Sequence, residues 1–255
     1  MSQAVISKPG VGLGKPKRWF PMRRGYRIGI LLLTIFLNVG FIVSVGYGVY
    51  AAYDASNRYG LAVMEETLFW PLFLASVLFL LGLFMTRQTY LDWSRGIVLY
   101  EAGIGVRSLR GLVPWHWNEI VSFKAGAVYG MRTYTLRRSD GKRLVLSAVL
   151  QDVDTLAAAI EEAIFPLLYE RAAIQYNHGE TIVFGALAVS KNGIRVGKKA
   201  YSWQEVGEVT LRRGILRISK KGGGRFGHAR AVVSAIPNLR VLLSILDQVV
   251  GIKVN

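Results

Sequence analysis

IGILLLTIFLNVGFIVSVGYGVYAAY, Ile28 to Tyr53, runs for 26 residues without a charged side chain, and TLFWPLFLASVLFLLGLFMT, Thr67 to Thr86, runs for 20 more. A hydrocarbon core of about 30 Å needs roughly 20 helical residues at ~1.5 Å each, so both runs are long enough to span a bilayer. Lipid offers a backbone no hydrogen-bond partners, so the runs are expected to be helices. Neither shows the polar stripe that a core helix of a soluble domain carries over such a length. Val49-Tyr50-Ala51 resembles a signal-peptidase site, but the first run exceeds the ~7–15 residue apolar region of a signal peptide and a second run follows closely.

The flanks set an expected orientation. Residues 1–27 carry seven basic side chains, Lys8, Lys15, Lys17, Arg18, Arg23, Arg24 and Arg27, and no acid. The link between the runs carries Asp54, Arg58, Glu65 and Glu66, net −2, and the chain from Arg87 onward carries +11. Positive flanks stay cytoplasmic, so both termini are expected inside a cell membrane, with a loop of about a dozen residues outside. Trp19, Phe20, Tyr26, Tyr47, Tyr50, Tyr53, Trp70, Tyr90 and Trp93 mark the edges, where amphipathic rings favour the headgroup level. Pro71 reads as a first-turn residue of the second helix. Gly40, Ser44 and Gly48 form a small-residue stripe that lets another helix approach closely, with Ala75 and Gly82 as the opposing residues of a hairpin. A homo-oligomer through the same stripe is the alternative. Neither run holds the charge that ion pathways usually need.

The 255-residue chain is 52% hydrophobic and 19% charged, which fits a minority membrane part and a majority water-soluble part. Its mean hydropathy is +0.32 and its net charge +16. With no cysteine, disulfides and thiolate metal sites are excluded. Residues 1–26 read as a basic disordered tail. Gly10-Val11-Gly12-Leu13-Gly14-Lys15 echoes a phosphate loop, but the spacing is wrong and Pro16 stands where Ser or Thr would hold magnesium. A tail beside a membrane span meets anionic lipid before nucleic acid, so no nucleic-acid partner is expected.

From Gln88 onward, short runs rich in Val, Ile, Tyr and Thr are broken by turns such as Ser139-Asp140-Gly141 and Lys191-Asn192-Gly193, a strand-and-hairpin pattern. Two stretches change to helical spacing. Leu156, Ala159, Ile160, Ala163, Ile164 and Leu167 form one, capped by Asp152 or Asp154; Leu239, Leu242, Leu243, Leu246, Val249 and Val250 form the other, with Pro237 near its first position.

These features recur. Leu99–Val106 parallels Val189–Val196, Trp117-Asn118-Glu119-Ile120 parallels Trp203-Gln204-Glu205-Val206, and Leu136-Arg137 parallels Leu216-Arg217. Asp152, Leu156, Ile160 and Ile164 parallel Asn238, Leu242, Leu246 and Val250. Each unit reads as strand, Gly turn, strand, Trp-x-Glu-apolar strand, further strands and one amphipathic helix. Gly103 and Gly193 are expected to take positive φ at hairpin turns, and Trp117 and Trp203 to bury large surfaces beside them.

The Gly-Ile turn, the Trp-x-Glu-Ile/Val strand and the closing helix resemble bacterial pleckstrin-homology-like domains. The resemblance is nearer to membrane-anchored bacterial proteins of unknown function that carry such domains. It implies a curled seven-stranded antiparallel sheet capped by one C-terminal helix, and binding or scaffolding instead of catalysis. The expected fold is therefore a two-helix transmembrane hairpin (27–87) followed by an α+β soluble part of two tandem PH-like units, 88–170 and 171–255. The second is shorter, with a compressed, Gly-rich region from Gly207 to Arg230, so its sheet is expected to be incomplete or merged with the first.

No nucleophile with an attendant base is legible, and His116, His178 and His228 lack metal-ligand spacing, so no enzyme activity and no cofactor are expected. Basic clusters are the functional hint. Arg132, Arg137, Arg138, Lys142 and Arg143 flank one hairpin; Lys198, Lys199, Arg212, Arg213, Lys220, Lys221 and Arg225 crowd the second unit. They predict contact with anionic membrane lipids or an unidentified protein partner at the cytoplasmic face. The alternative is an enzyme, or a subunit of one, acting on a lipid-embedded substrate.

Overall fold

The structure, a computed structural model, describes residues 12–60, 62–93, 95–108, 111–222 and 228–254. Lys8, Gly10, Val11 and Arg225 lie outside the described residues. In chain order the elements are β1 (Pro16–Pro21), α1 (Arg24–Tyr59), α2 (Ala62–Trp93), β2 (Gly96–Tyr100), β3 (Gly103–Ser108), β4 (Gly111–His116), β5 (Ile120–Val128), β6 (Met131–Arg138) and β7 (Arg143–Ser147). There follow α3 (Val153–Asn177), β8 (Ile182–Phe184), β9 (Leu187–Ser190), β10 (Gly193–Val196), β11 (Lys199–Ser202), β12 (Val206–Arg212), β13 (Ile215–Lys220), β14 (His228–Val232), α4 (Leu239–Val250) and β15 (Lys253–Val254). The strands form sheets β1-β2-β3-β4, β5-β6-β7, β11-β10-β9-β8 and β14-β13-β12-β15. The chain divides into two compact units, one holding 21–97 and 106–113, the other the described residues up to Phe20, 98–105 and 114 onward.

In the first of these units, α1 and α2 are long and apolar enough to cross a membrane. At 1.5 Å per residue their 36 and 32 residues extend about 54 and 48 Å. Large apolar side chains such as Phe36, Ile42 and Leu80 stand exposed along them, whereas the buried residues of α1 are small or polar: Thr34, Ser44, Gly48 and Ala52. The stripe faces α2. A Cβ on Gly48 would lie 2.8 Å from Pro71 Cβ, and one on Gly40 would lie 3.4 Å from Leu78 Cδ1. Ser44 Oγ donates to the Pro71 carbonyl at 2.9 Å, the Thr34 and Thr89 hydroxyls pair at 2.8 Å, and Asn38 Nδ2 donates to Thr34 O at 2.7 Å. At the end of the pair, the buried Asp92 accepts from Tyr26 at 3.4 Å and pairs with Arg95 at 2.6 Å.

Two expectations are corrected here. The loop of a dozen residues is largely helix: α1 continues to Tyr59, with Arg58 paired to Asp54 one turn back, and ends at Gly60 in a positive-φ conformation. Ala55, Met64, Glu65 and Glu66 are good helix formers, so the charges that end the apolar run do not end the helix. Pro71 consequently sits in the helix interior and not in its first turn.

The second unit opens with a further correction. The described part of the tail is built into the fold: β1 is the edge strand of the first sheet, and Leu13 and Phe20 are buried. The Ala102 amide donates to Leu13 O at 3.0 Å and the Glu101 amide to Lys15 O at 3.2 Å. Both long helices therefore fall, in chain order, between neighbouring strands of one sheet. The two apolar side chains outweigh the lysines between them because each full burial contributes ~1.5–3 kcal/mol while the lysine heads stay hydrated.

Beyond this, equivalent geometry appears at paired positions. The β5–β6 ladder carries a bulge between Ile120 and Ser122, and the β12–β13 ladder one between Val206 and Glu208. Arg138 lies opposite Ile120, as Lys220 lies opposite Val206. The indole N–H of Trp117 donates to Glu101 O and that of Trp203 to Ser190 O, each at 2.9 Å. Asp152 and Asn238, before α3 and α4, both adopt the left-handed region at φ 52° and 51°. Helix periodicity is as expected for Leu156, Ile160 and Ile164 in α3; in α4 the buried face is Val241, Leu242, Ile245 and Leu246, leaving Leu243, Val249 and Val250 half-buried.

Gly103 and Gly193 differ from expectation. Neither has positive φ; instead a Cβ on Gly103 would fall 2.2 Å from Trp115 O, and one on Gly193 2.0 Å from Tyr201 O. Close backbone approach is what requires glycine there. Trp117 and Trp203 are half-buried and begin turns; the buried aromatics are Trp115 and Tyr201, two residues earlier. Leu136 sits opposite Phe123, and its register counterpart opposite Val209 is Ile218, not Leu216. With a side-chain period of 2, a slip of two residues leaves both apolar, so pattern alone does not resolve it.

The region from Gly207 to Arg230 is not a truncated sheet, since β12, β13 and β14 pair antiparallel in full and β15 adds in parallel. The expected boundary after residue 170 falls inside α3, which continues to Asn177. The two halves are also joined: Asn238 closes the edge of β5, accepting from the Phe123 amide at 2.8 Å and donating to Val121 O at 3.1 Å. Arg240 pairs with Glu162 at 2.6 Å and lies 4.2 Å over the Phe165 ring.

Candidate functional site

Strand alternation sorts the basic residues into different fates. In β5-β6-β7 Phe123, Leu136 and Leu144, followed by Ala125, Tyr134 and Leu146, lie on one side by register; Phe123, Leu136 and Leu146 are buried there, and Ala125 at the free end is exposed. The other side carries Ser122, Arg137 and Arg143 opposite one another, then Lys124, Thr135 and Val145. The structure thus brings Arg137 and Arg143 together as direct cross-strand neighbours and adds Lys124, which the sequence reading passed over. Both arginines are exposed and neither has an ion-pair partner among the described residues.

Arg138 points the other way and is not available to a ligand. Its side chain is 15% exposed, lies 5.3 Å from the Trp115 ring, and is held by Glu119 at 3.5 Å and by Asp140. The hydrogen bond from Arg138 keeps the Asp140 carboxyl well below the usual carboxylate range, and the same contact raises Arg138. Lys142 also leans on Asp140, at 3.3 Å. Arg132 is exposed but approaches Asp154 at 3.8 Å. Asp154 in turn accepts from Tyr134 at 2.7 Å, a bond that together with burial lifts the tyrosine.

The second three-stranded pairing repeats the arrangement with different residues. Thr210, Arg217 and Arg230 lie opposite one another on the side away from Val209, Ile218 and Ala229, with Arg212, Ile215 and Val232 as the next row. Arg217 and Arg230 were not selected from the sequence; period-2 alternation around Leu216 and Ile218 was the signal available for them. Arg213 occupies the β12–β13 turn at φ 49°. Gly197 and Lys198 form the β10–β11 turn, Lys199 opens β11 opposite Val196, and Lys199 Nζ donates to His228 O at 3.3 Å. Lys220 is taken up by Glu205 at 2.7 Å, which lowers the carboxyl and raises the amine.

Each sheet thus places two arginines directly opposite each other, with Cβ atoms ~4.5–5.5 Å apart. Like charges directly opposite each other on a sheet are destabilising, by a few tenths to about 1 kcal/mol. An anion between the guanidinium groups converts that repulsion into two charge-assisted hydrogen bonds. Nothing in the packing requires arginine at these outward positions.

Among the described residues no group of three or more His, Asp or Glu is placed to hold a metal. A shallow depression of about 200 Å³ lies between α3, α4 and β5, lined by Phe123, Glu161, Phe165, Leu168, Asn238 and Arg240 among others. Burial there raises the Glu161 carboxyl against the opposing pull of Arg240. Its hydrogen-bonding groups are largely committed to joining the two halves, and it offers no nucleophile.

No curated protein matches the chain. The profile of a family of unknown function, DUF6585, matches residues 1–251, and the chain belongs to that family.

Proposed function

We propose that this is an integral membrane protein that holds two PH-like units at the cytoplasmic face of the cell membrane, where their basic sheet faces bind anionic lipid headgroups. α1 and α2 form the multi-pass anchor, with both termini inside, as the +7 of residues 1–27 favours. In support of two copies of one unit stand the paired bulges, the paired glycine approaches at 103 and 193, and the paired indole hydrogen bonds. Each copy has four strands, then three antiparallel strands, then one helix, the layout that the PH-like reading requires. The observation that carries the binding role is the outward Arg137–Arg143 and Arg217–Arg230 pairs.

The test uses the detergent-solubilised full chain titrated with short-chain phosphatidylglycerol or phosphatidylcholine. Preferential, salt-sensitive binding of the anionic lipid is expected, weakened several-fold by Arg137→Gln with Arg143→Gln. Equal affinity for the two lipids overturns the proposal. An enzyme acting on a lipid-embedded substrate remains the second functional class; a substrate-dependent turnover by the purified chain would bring it forward.

A further inference from the structure

The β5–β6 hairpin ends in Val128-Tyr129-Gly130-Met131, a tight turn with φ of 49° and 76° at its two central residues. Tyr129 is 96% exposed, Val128 52% and Met131 54%. The hairpin outruns its neighbour: β7 pairs with β6 only as far as Thr133, so the Ala127–Arg132 and Val128–Met131 pairs stand free. Two residue pairs at ~3.4 Å each, plus the turn, make a projection of about 7–10 Å.

The β12–β13 hairpin supplies an internal comparison. Its turn has the same backbone signs, φ 49° at Arg213 and 74° at Gly214, but it carries arginines and is covered to its last pair by β14, since Ile215 pairs with Val232. The same turn geometry is thus built once with charge and flush, and once with an aromatic and two aliphatic side chains and projecting. Turn formation alone does not call for Tyr at a positive-φ position, where Asn, Asp or Gly is favoured.

We infer that the Val128–Met131 tip inserts into the interfacial layer of a lipid bilayer. A convex tip of three side chains cannot supply the ~800 Å² that one partner of a stable protein interface usually buries. A lipid interface needs no complementary groove, and insertion of an apolar edge by ~5–10 Å matches the reach of this projection. Tyrosine suits the headgroup level, where its ring is buried and its hydroxyl remains hydrated. Val128 and Met131 share their sheet face with Lys124, Arg137 and Arg143, and the segment 120–147 holds six basic residues and one acidic one. The face therefore presents an apolar edge followed by cations, the order in which a bilayer presents acyl chains and phosphates. The inference rests on the membrane anchorage proposed above, which confines the tip to one surface at high effective concentration.

The chain has no cysteine, so single thiols can be introduced and spin-labelled without background. Tyr129→Cys, Met131→Cys, Glu180→Cys as an exposed reference away from both basic faces and, as an anchor control, Phe36→Cys are reconstituted as full chains in vesicles of phosphatidylcholine and phosphatidylglycerol. Collisions with oxygen and with a water-soluble nickel complex are compared at each site. At 129 and 131 nickel collisions should be about fivefold or more below those at 180, with oxygen collisions raised. Labels at 129 and 131 as open to nickel as that at 180, with the label at 36 in lipid, overturn the inference and leave the anchor intact. Labels shielded from both reagents indicate a protein contact and also overturn it. A label at 36 open to nickel removes the anchor and the inference together.

Discussion

Gly193→Ala adds one methyl group at a site where glycine is required by space and not by backbone angle. The new Cβ would lie 2.0 Å from Tyr201 O and 2.9 Å from the Ser202 Cα, both backbone atoms that cannot rotate aside. Normal van der Waals contact needs more than 3.4 Å, so β10 and β11 must separate by over 1 Å at this pair. That separation strains the Gly193–Ser202 and Ile194–Tyr201 pairings and the Trp203 amide bond to Asn192 O. Overpacking against a fixed partner typically costs ~1–3 kcal/mol, and one weakened hydrogen bond adds ~1. A local loss of about 2–4 kcal/mol corresponds to a roughly 30- to 900-fold acceleration of amide exchange in β9–β11. Hydrogen exchange followed by mass spectrometry on the full chain reads this directly, with β5–β7 as the internal reference. Gly193→Asn separates the two roles of glycine, since Asn tolerates positive φ but occupies more space. It should be at least as damaging as Ala. Exchange within threefold of the parent for Gly193→Ala, or a rescue by Asn, would refute the steric argument.

Trp203→Phe keeps an aromatic ring but removes the pyrrole N–H that donates to Ser190 O, so exchange around β9 should rise by about fivefold, for ~1 kcal/mol; an unchanged rate would show the bond to be idle. Asn238→Ala leaves the Phe123 amide without its acceptor and places alanine at φ 51°, so protection of β5 should fall by ~2 kcal/mol or more, read by the same exchange experiment. Two carboxyls should give opposite pH responses. The lowered Asp140 binds fewer protons folded than unfolded, so its contribution is present above the ordinary value of 3.8 and is lost as pH falls toward the folded one. Glu161, raised by burial, binds more protons folded, so its contribution is present below 4.5 and is lost as pH rises through the folded value. Unfolding of Asp140→Asn and Glu161→Gln against pH checks both signs; matching slopes for the two variants would contradict the assignment. Asn38→Leu removes the donor to Thr34 O and Thr86, and should loosen the α1–α2 pair by about 0.6–2 kcal/mol in mixed-micelle denaturation.

The two apolar runs, the small-residue stripe of α1, the turns before Gly141 and Gly193, and the two amphipathic helices were legible from local rules; that the stripe meets Pro71 and Leu78, with Gly82 against Asn38, was not. Length, side-chain size and a period of 3.6 or 2 depend only on nearby residues. The parallel between Trp117 and Trp203 was legible for the same reason, because each indole bonds a carbonyl within 16 residues of itself. Tertiary structure alone decided the rest. Pro16–Pro21 becomes a strand because a partner separated from it by the whole of α1 and α2 offers an edge, and no local pattern encodes that pairing. Arg137 and Arg138 are adjacent in sequence yet point to opposite faces, one exposed and one held between carboxylates; the bulge at Ile120–Ser122 and the register of β5 with β6 set which is which. Gly103 and Gly193 announce themselves as glycines, but whether a glycine yields to a turn or to a neighbouring carbonyl depends on where the next strand lies.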